Sequence, residues 1–422
     1  MTASPIKKDP SCRDDYDPAS LQPDAALGKI KQAISPVTGE ESLPIRDALG
    51  RILTADIRSG INVPAAGNSA MDGYAINSGD LPTKDRRELQ VIGTVFAGKP
   101  FTGRVPAGSC VRIMTGGLMP DATDTIIIQE DVQREGDSIS IDGNTRPGDN
   151  VRAAGEDIAE GDLILARGRR LNPADLGLIA SLGIPEVTVR RTIRVAFFST
   201  GDELRSIGEP LEDGAIYDSN RYTLHAMLSR LGADIIDMGV IRDQQQAVET
   251  ALLSAADKAD VIITSGGVSV GEADFIKQAL QKTGQVAFWK VAMKPGRPLA
   301  FGTVKQALFF GLPGNPVSVM VTFYQFVQPA LRALMGETDD HNMTIKVRCD
   351  SKLKKRPGRV EYQRGIMSRD SNGELVVVKT GAQGSGILSS MSRANCFIIL
   401  PLESTGIEAG SMVDVQPFFG LV

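Results

Sequence analysis

Two cations bracket a Pro-Gly pair in the stretch VAMKPGRPLAFG, residues 291–302, and their type and spacing could do chemistry. Lys294 and Arg297 lie in an otherwise apolar run, and Pro298 follows directly. Proline restricts φ and glycine permits close approach, so this segment, the cationic elbow, has a specified geometry. Two cations held in place indicate a site for a small anion. The alternative is a surface turn with two solvated charges.

Two glycine-rich loops could bind a phosphate-type anion. TSGGVSVGEAD brings paired glycines and serines, and GLPGNPVS places a proline at the first position of a helix. Backbone N–H groups in such loops, and the N-terminus of a helix, stabilise negative charge. Neither loop matches the Walker pattern or the dinucleotide-binding pattern. The candidate binding residues are Ser265, Gly266, Gly267, Ser269, Gly314, Asn315 and Pro316.

Three carboxylates belong to the same set of loops and are the metal candidates: Glu203, Asp243 and Asp274. Carboxylates beside phosphate-binding loops typically hold Mg²⁺, which keeps most of its waters and bridges to phosphate oxygens. This pattern predicts phosphoryl or pyrophosphoryl chemistry with metal assistance. The alternative is that Asp243 and Asp274 cap their helices and that Glu203 pairs with an arginine.

The composition limits what other chemistry is available. The chain has two histidines, which excludes a His-rich metal site and disfavours a Ser-His-Asp triad. Its four cysteines are far apart, which argues against a disulfide framework and suits a reducing cytoplasm. A net charge of -5 gives no indication of nucleic acid or of an anionic membrane. The sequence also lacks an apolar run of the roughly 18 residues that a membrane helix needs.

Alternating strands and helices between residues 191 and 337 must position these loops. Apolar runs such as TIRVAFFSTG and ADVIITSGG end in polar loops, as buried parallel strands do. Between them lie amphipathic segments such as SNRYTLHAMLSRLG, with Ser219 or Asn220 as the expected N-cap and Gly232 as the expected stop. The sequence therefore predicts a doubly wound α/β sheet whose loops at the strand C-termini bear the site.

The remaining residues divide into regions that differ in composition and in predicted secondary structure. Residues 1–20 are polar and charged, and we expect a disordered tail. Residues 57–155 contain short β-like runs between glycines and prolines, which predicts an extended β-rich lobe. Residues 21–56, expected to be helical through DAALGKIKQAI and IRDALGRILTADI, would join 156–190 as a discontinuous helical linker domain. Residues 338–422 revert to short strands, which indicates a small C-terminal β-barrel or sandwich.

Taken together, these segments resemble the molybdopterin molybdenumtransferase family, the MoeA-type enzymes of molybdenum cofactor synthesis. The resemblance covers roughly residues 21–422, and several long motifs in the same order make it specific. The matching motifs are SAMDGYA (69–75), RIMTGG (112–117), PGDNVRAAGEDI (147–158), FSTGDEL (198–204), IYDSNRY (216–222), ITSGGVSVGEADF (263–275), KPGRPLAFG (294–302), GLPGNPVSV (311–319), GRVEYQR (358–364) and SSMSRAN (389–395).

The resemblance implies an enzyme that inserts molybdenum from molybdate into adenylylated molybdopterin with Mg²⁺-dependent release of AMP. It implies a homodimer of four domains per chain, with molybdopterin adenylyltransferase as the upstream donor. The active site would lie between the α/β domain of one subunit and the β-rich lobe and barrel contributed across the dimer. Neither nucleic acid nor a membrane is expected as a partner.

Site residues are implied motif by motif. Positions tied to activity or substrate contact are Asp72, Thr115, Arg152 and Asp157, which could otherwise be turn residues in a glycine-rich lobe. Glu203, Asp243 and Asp274 match the acidic cluster that would hold Mg²⁺, and Glu203 and Asp274 are also expected to be catalytic. Pro313 and Pro316 match the loop that shapes the pterin pocket. The molybdate-holding set would be Lys294, Arg297, Pro298, Ser318, Arg359 and Ser390.

The sequence departs from the family pattern in two places. Arg297 stands where many relatives have lysine, which changes the geometry offered to an oxyanion. Ala382 and Gly386 stand where some relatives have histidines. Two other functions remain open from the sequence: an adenylyltransferase that makes the adenylylated pterin, and a non-catalytic scaffold. The sequence decides neither between molybdenum and tungsten nor which oxygen attacks phosphorus.

Overall fold

The structure is a computed structural model of the 422-residue chain. It describes residues 20–267, 275–338 and 343–418. Nearly all of the expected tail, and the candidates Ser269 and Asp274, therefore lie outside the described residues. Within them, no helix combines the length and apolar character that a membrane crossing requires.

Six strands among the described residues form the sheet of the α/β domain. They are β1 (Arg194–Thr200), β2 (Asp234–Ile241), β3 (Val261–Ser265), β4 (Gly284–Lys290), β5 (Pro298–Val304) and β6 (Ala307–Leu312). The order across the sheet is β2-β1-β3-β6-β5-β4. The first four strands in that order are parallel, whereas β5 and β4 are antiparallel to their neighbours. The expected doubly wound sheet is confirmed.

Both faces of β1, β3 and β6 are buried, which explains their continuous apolar runs. Phe197 and Phe310 pack on one side of the sheet, and Phe198 and Phe309 pack on the other. Because neighbouring residues point to opposite faces, one strand fills two hydrophobic cores. This packing fixes the strand ends, and with them the loops that follow.

Helices cover both faces of the sheet: Ser219–Leu231, Gln245–Ala256, Phe275–Thr283, and Pro316–Thr322 continued by a π-helical turn, Phe323–Val327, and Gln328–Leu334. The first helix is capped by Asp218, whose Oδ1 accepts from the Arg221 backbone N–H at 3.1 Å, and it ends at Gly232 as expected. The prediction of Ser219 or Asn220 as the cap was therefore wrong. The expected cap role of Asp243 was also wrong, because Gln244 occupies the N-cap position.

The β-rich lobe contains a six-stranded sheet within the described residues. Its strands, in spatial order, are Thr125–Ile128, Gly73–Ile76, Ser109–Ile113, Arg87–Val95, Ser138–Ile141 and Gln133–Glu135. Short 3-10 helices occur at Ser78–Asp80 and Gln129–Asp131. A separate two-stranded pairing joins Asn68–Ser69 to Val151–Arg152, and it brings the two ends of the lobe together. The predicted β character of this region is confirmed.

The linker region combines two helices with short strands. Its helices are Pro23–Gln32 and Pro173–Ser181; Glu40–Pro44 pairs with Glu186–Arg190, and Ile57–Arg58 pairs with Leu163–Leu165. Leu53, Leu165, Ile179 and Val187 share one buried cluster, so both stretches of the region contribute to a common core.

One helix prediction in the linker region was wrong. IRDALGRILTADI forms a single 3-10 turn, Ile45–Asp47, followed by a second turn at residues 49–50 and by isolated β-bridges. Ile52 and Leu53 form bridges to Arg170 and Val189, and these tertiary contacts override the helical pattern of the segment.

The C-terminal region is a barrel closed by five strands of the described residues: Ile345–Cys349, Val360–Arg369, Leu375–Lys379, Cys396–Leu400 and Ser411–Pro417. A short pair, Leu353–Lys354 with Gly406–Ile407, and a helix, Leu388–Arg393, complete it. The two-residue strand Met293–Lys294 of the cationic elbow pairs in parallel with Val360–Glu361. The barrel prediction is confirmed, and the elbow connects the barrel to the α/β domain.

Candidate active site

A cavity of about 1080 Å³ opens at the C-terminal edge of the parallel strands. β1, β3 and β6 end at Thr200, Ser265 and Leu312, and the loop after each strand contributes to the wall. Described residues on the wall include the predicted Glu203, Asp243, Ser265, Gly266, Gly267, Pro298, Pro313, Gly314, Asn315, Pro316 and Ser318. The sheet thus brings together most of the candidates that the α/β loops supply.

The first glycine loop is held against the end of β1. The backbone N–H of Gly266 donates to the Leu312 carbonyl at 3.1 Å, which ties the loop to β6. Gly266 has a φ of +91°, and a Cβ placed there would lie 2.6 Å from the Thr200 carbonyl oxygen. Glycine is therefore required at this position both by its conformation and by the space available.

Asn220 links the two glycine loops, and sequence reasoning missed this role. Its Nδ2 donates to Ser265 Oγ at 2.8 Å and to the Gly314 carbonyl at 2.7 Å. The side chain can reach both loops because Asp218, and not Asn220, caps the helix. The run Asp218-Ser219-Asn220 holds three residue types that favour N-caps, and only one of them can fill that position. Because three residues suited to the N-cap occur in a row, the sequence did indicate that two of them were free for another role.

Asp243 lies in a locally acidic environment. Its backbone N–H is 3.4 Å from Asp202 Oδ1, and its carboxyl is partly buried. Burial, followed by the negative charges of Asp202 and Glu203, raises the pKa of Asp243 above its ordinary value. Asp202 was not among the predicted site residues, although the same loop supplies it. The carboxylates of Asp202, Glu203 and Asp243 are called the acidic group below.

The acidic group suits a hard divalent cation. The charges of Asp202 and Glu203 oppose the ionisation of Asp243, and a bound cation would offset this repulsion. Carboxylate oxygens are also the ligands that Mg²⁺ prefers. Over the described ranges, no set of three or more acidic, histidine or cysteine side chains converges as a complete metal site. Mg²⁺ commonly takes one or two carboxylates and completes its shell with water and phosphate oxygens, so Glu203 and Asp243 fit this ion.

The residues expected to hold molybdate do not share one cavity. Pro298 and Ser318 line the large cavity. Lys294 lines a second cavity of about 450 Å³ at the barrel, where its Nζ lies 3.4 Å from Glu361 Oε1. Four further cations, Lys352, Lys354, Arg364 and Lys379, share the wall of that second cavity.

The other three members of the molybdate set, Arg297, Arg359 and Ser390, are described residues that line neither cavity. The Arg297 carbonyl accepts from the Val291 backbone N–H at 2.7 Å. Ser390 is fully buried, and its Oγ accepts from Arg364 Nε at 3.0 Å. Through Arg364, Ser390 contacts the wall of the second cavity indirectly.

The four candidates in the β-rich lobe lie on its turns and short strands. Asp72 Oδ1 accepts from the backbone N–H and from Oγ1 of Thr115, each at 2.7 Å. These hydrogen bonds lower the pKa of Asp72, the backbone bond contributing most. Arg152 and Asp157 are exposed. Among the described residues that line the large cavity, none of these four is present.

Three family descriptions match consecutive parts of the chain. They are the MoeA N-terminal region (domain I and II) over residues 21–183, the probable molybdopterin binding domain over 196–333, and the MoeA C-terminal region (domain IV) over 346–418. The α/β domain thus matches the family described as a probable molybdopterin binding domain. The chain belongs to the MoeA family, the transferase family of the molybdopterin molybdenumtransferases, as the sequence motifs predicted.

Individual relatives agree with this assignment. The chain is 45% identical over 400 residues to the molybdopterin molybdenumtransferase of Haemophilus influenzae, covering 94% of this chain and 98% of that one. It is 35% identical over 376 residues to the enzyme of the same name from a Nostoc species, covering 87% and 86%. The crystal structure of a molybdopterin biosynthesis moeA protein from Pyrococcus horikoshii has a TM-score of 0.82 at 29% identity, covering 94% and 100%.

Proposed function

We propose that the chain inserts molybdenum from molybdate into adenylylated molybdopterin and releases AMP in a Mg²⁺-dependent reaction. The proposal rests on one observation above all: two glycine-rich loops and the carboxylates of Glu203 and Asp243 share a single cavity of about 1080 Å³. A volume of this size accommodates a nucleotide-linked substrate. The choice of molybdenum as the metal and of molybdopterin as the pterin follows from the names of the relatives.

The loops and the acidic group have complementary roles in this proposal. Backbone N–H groups of the loops at Gly267 and Gly314 bind phosphate oxygens, and the helix that begins at Pro316 adds its favourable dipole. Glu203 and Asp243 hold Mg²⁺, with Asp274 as a further expected ligand. The cation neutralises charge on the phosphate link when it is bound. Positioning by the chain then makes the transfer of molybdenum a local step.

The cationic elbow and the barrel hold the molybdate substrate. Lys294 is fixed by the pairing of Met293–Lys294 with Val360–Glu361, so its charge is presented from a rigid support. Pro298 and Ser318 belong to the same boundary between sheet and barrel, on the side of the large cavity. Arg297, Arg359 and Ser390 complete the proposed molybdate set, with charge-assisted hydrogen bonds as the main attraction.

A homodimer would bring the lobe candidates to the site. Asp72 and Thr115 are flanked by exposed apolar side chains, Met71, Phe96 and Leu118, which are 46%, 52% and 41% exposed. Apolar side chains grouped around polar functional candidates favour a covering partner. We place this dimer in the cytoplasm, with molybdopterin adenylyltransferase as donor. Free, buried Cys110, Cys349 and Cys396 suit that compartment.

The test is a turnover measurement with separated components. Purified protein is incubated with adenylylated molybdopterin and Mg²⁺, with and without molybdate, and AMP and pterin-bound molybdenum are quantified. We expect both products to require Mg²⁺, and the pterin to acquire metal only with molybdate. Tungstate in place of molybdate tests the choice of metal.

Two outcomes would contradict the proposal. One is AMP release that is undiminished after a chelator removes Mg²⁺. Undiminished AMP release by the Asp243→Asn variant would contradict it equally. Asp257→Asn is the matched surface control in the same domain. The other is formation of pyrophosphate from ATP and molybdopterin without molybdate, which would identify an adenylyltransferase.

A further inference from the structure

One carboxylate lies among the cations of the second cavity, the cavity of about 450 Å³ at the barrel. The cationic side chains described on its wall are Lys294, Lys352, Lys354, Arg364 and Lys379. Among the described residues of the same wall, Glu361 is the one acid, and it is 7% exposed. Moving a carboxylate out of water costs free energy, and in this place it also reduces the attraction of the cavity for anions. A functional gain could offset both costs.

Contacts on both sides fix the direction of the Glu361 carboxylate. Gln363 lies two residues further along the same strand and so shares its face. The Gln363 Nε2 group donates to Glu361 Oε2 at 2.9 Å and to the Lys354 carbonyl at 3.2 Å. The other oxygen, Oε1, lies 3.4 Å from Lys294 Nζ, and the two residues are also paired through their strands. The carboxylate is therefore held beside the cation of the elbow.

The charge of Glu361 acts on cations beyond the elbow. Burial lowers the pKa of Arg364 to about 10, and the negative charge of Glu361 opposes that shift. Burial also lowers the pKa of Lys355, and Glu361 again acts in the opposite direction. The Arg364 guanidinium donates to Ser390 Oγ and to the Gly384 carbonyl, which are neutral acceptors. Glu361 thus offsets the charge of several cations in this part of the barrel.

We infer that Glu361 limits the affinity of the second cavity for dianions and is a specificity-determining residue for the oxyanion substrate. A dianion bound at Lys294 competes with Glu361 for one ammonium group and is also repelled by the carboxylate. Tight binding of a substrate in its ground state does not accelerate its reaction, so a weakened site suits an ion that must be transferred. The inference rests on the proposed function for the choice of molybdate as that ion.

Binding of two tetrahedral oxyanions to the wild type and to Glu361→Gln tests this role. Molybdate is a dianion and perrhenate is a monoanion of the same shape. Glutamine keeps the size of the side chain and an acceptor for Gln363, and it removes the charge. We expect the variant to bind molybdate about tenfold more tightly and perrhenate only about threefold, because the repulsion scales with the charge of the ligand. Titration calorimetry without pterin or Mg²⁺ gives both affinities, so failure here and failure of the proposed reaction are distinguishable.

Two further variants complete the test. Glu374→Gln removes an exposed carboxylate of the same barrel, which pairs with Arg348, and should leave both affinities unchanged. Glu361→Asp withdraws the charge by one methylene group, so it should tighten molybdate binding by a smaller factor, about twofold, and it serves where the glutamine variant does not fold. Molybdate binding that is equal or weaker in the Glu361 variants would overturn the inference, since it would leave Glu361 only a structural role. Equal gains for molybdate and perrhenate would overturn charge as the cause.

Discussion

The carboxylate of Asp72 accepts two hydrogen bonds from Thr115, one from the backbone N–H and one from the hydroxyl, each at 2.7 Å. The two residues are 43 positions apart in the sequence, so the pair fastens one turn of the β-rich lobe to another. Both bonds favour the ionised carboxylate and lower the pKa of Asp72. A proposed substrate-contacting carboxylate is thereby kept charged and fixed in direction.

Thr115→Val should raise the pKa of Asp72 while leaving it below its ordinary value. The substitution removes the hydroxyl but keeps the backbone N–H, which is the larger cause of the lowered pKa. Because the folded pKa is depressed, the stabilisation is present above the unfolded pKa and is lost as pH falls through the folded pKa. Carboxyl carbon NMR titration measures the change. Thr123→Val, whose hydroxyl contacts a carbonyl, is the control, and an unmoved Asp72 titration would contradict the assignment.

Mg²⁺ binding should weaken on acidification at a higher pH than an ordinary aspartate would impose. The pKa of Asp243 is raised by burial and by the charges of Asp202 and Glu203, so protons compete with the cation over a higher range. Asp202→Asn removes one of these charges and should move the pH midpoint of Mg²⁺ binding downward. Calorimetric titration across pH measures the midpoint. The exposed Asp213→Asn is the control, and a midpoint that stays in place in Asp202→Asn would refute the coupling.

Lys294→Ala should raise the molybdate concentration needed for half-maximal molybdenum insertion by about tenfold or more, the usual range for loss of a charge-assisted contact. Its amine is a fixed cation of the elbow and lies 3.4 Å from Glu361. Initial rates against molybdate concentration measure the effect. Lys305→Ala, which removes an exposed cation paired with Asp257 in the same domain, should leave the value unchanged. An unchanged molybdate dependence in Lys294→Ala would remove Lys294 from the proposed molybdate set.

Gly266→Ala should destabilise the protein more than Gly214→Ala does. Both glycines have positive φ, +91° and +82°, so both substitutions incur the left-handed penalty of about 1–2 kcal/mol. A Cβ at Gly266 would also lie 2.6 Å from the Thr200 carbonyl, whereas at Gly214 it meets nothing within 4 Å. We expect a further loss of about 1–3 kcal/mol at Gly266 from this overlap. Urea unfolding measures both, and equal losses would show that the loop relaxes freely.

The parts of the fold that the sequence predicted are those in which local pattern and burial agree. β1 and β3 are continuous apolar runs because both of their faces are covered, and their positions were predicted correctly. The parallel arrangement of β1, β3 and β6 then placed Glu203, Ser265 and Pro316 at one edge of the sheet. Family motifs extended the prediction to the barrel, whose alternating strands are individually weaker signals.

The parts that the sequence did not predict depend on contacts between distant segments. IRDALGRILTADI has a helical pattern, yet Leu53 is held by Val189, which lies far along the chain. The cap position could not be chosen among three suitable residues until the backbone showed that Asp218 fills it. From the sequence, Lys294 and Pro298 of the cationic elbow were likewise expected to belong to a single anion site. The structure places them on the walls of different cavities because the elbow turns between them.

The pairing of Met293–Lys294 with Val360–Glu361 has a mechanical consequence. Lys294 belongs to the α/β domain by sequence and to the barrel by its backbone hydrogen bonds. It therefore links the two regions directly. A rotation of the barrel relative to the sheet would move the Lys294 ammonium group with it. The distance between that group and the acidic group would then change. The separation between Lys294, the cation proposed to bind molybdate, and the acidic group is therefore fixed by this backbone pairing.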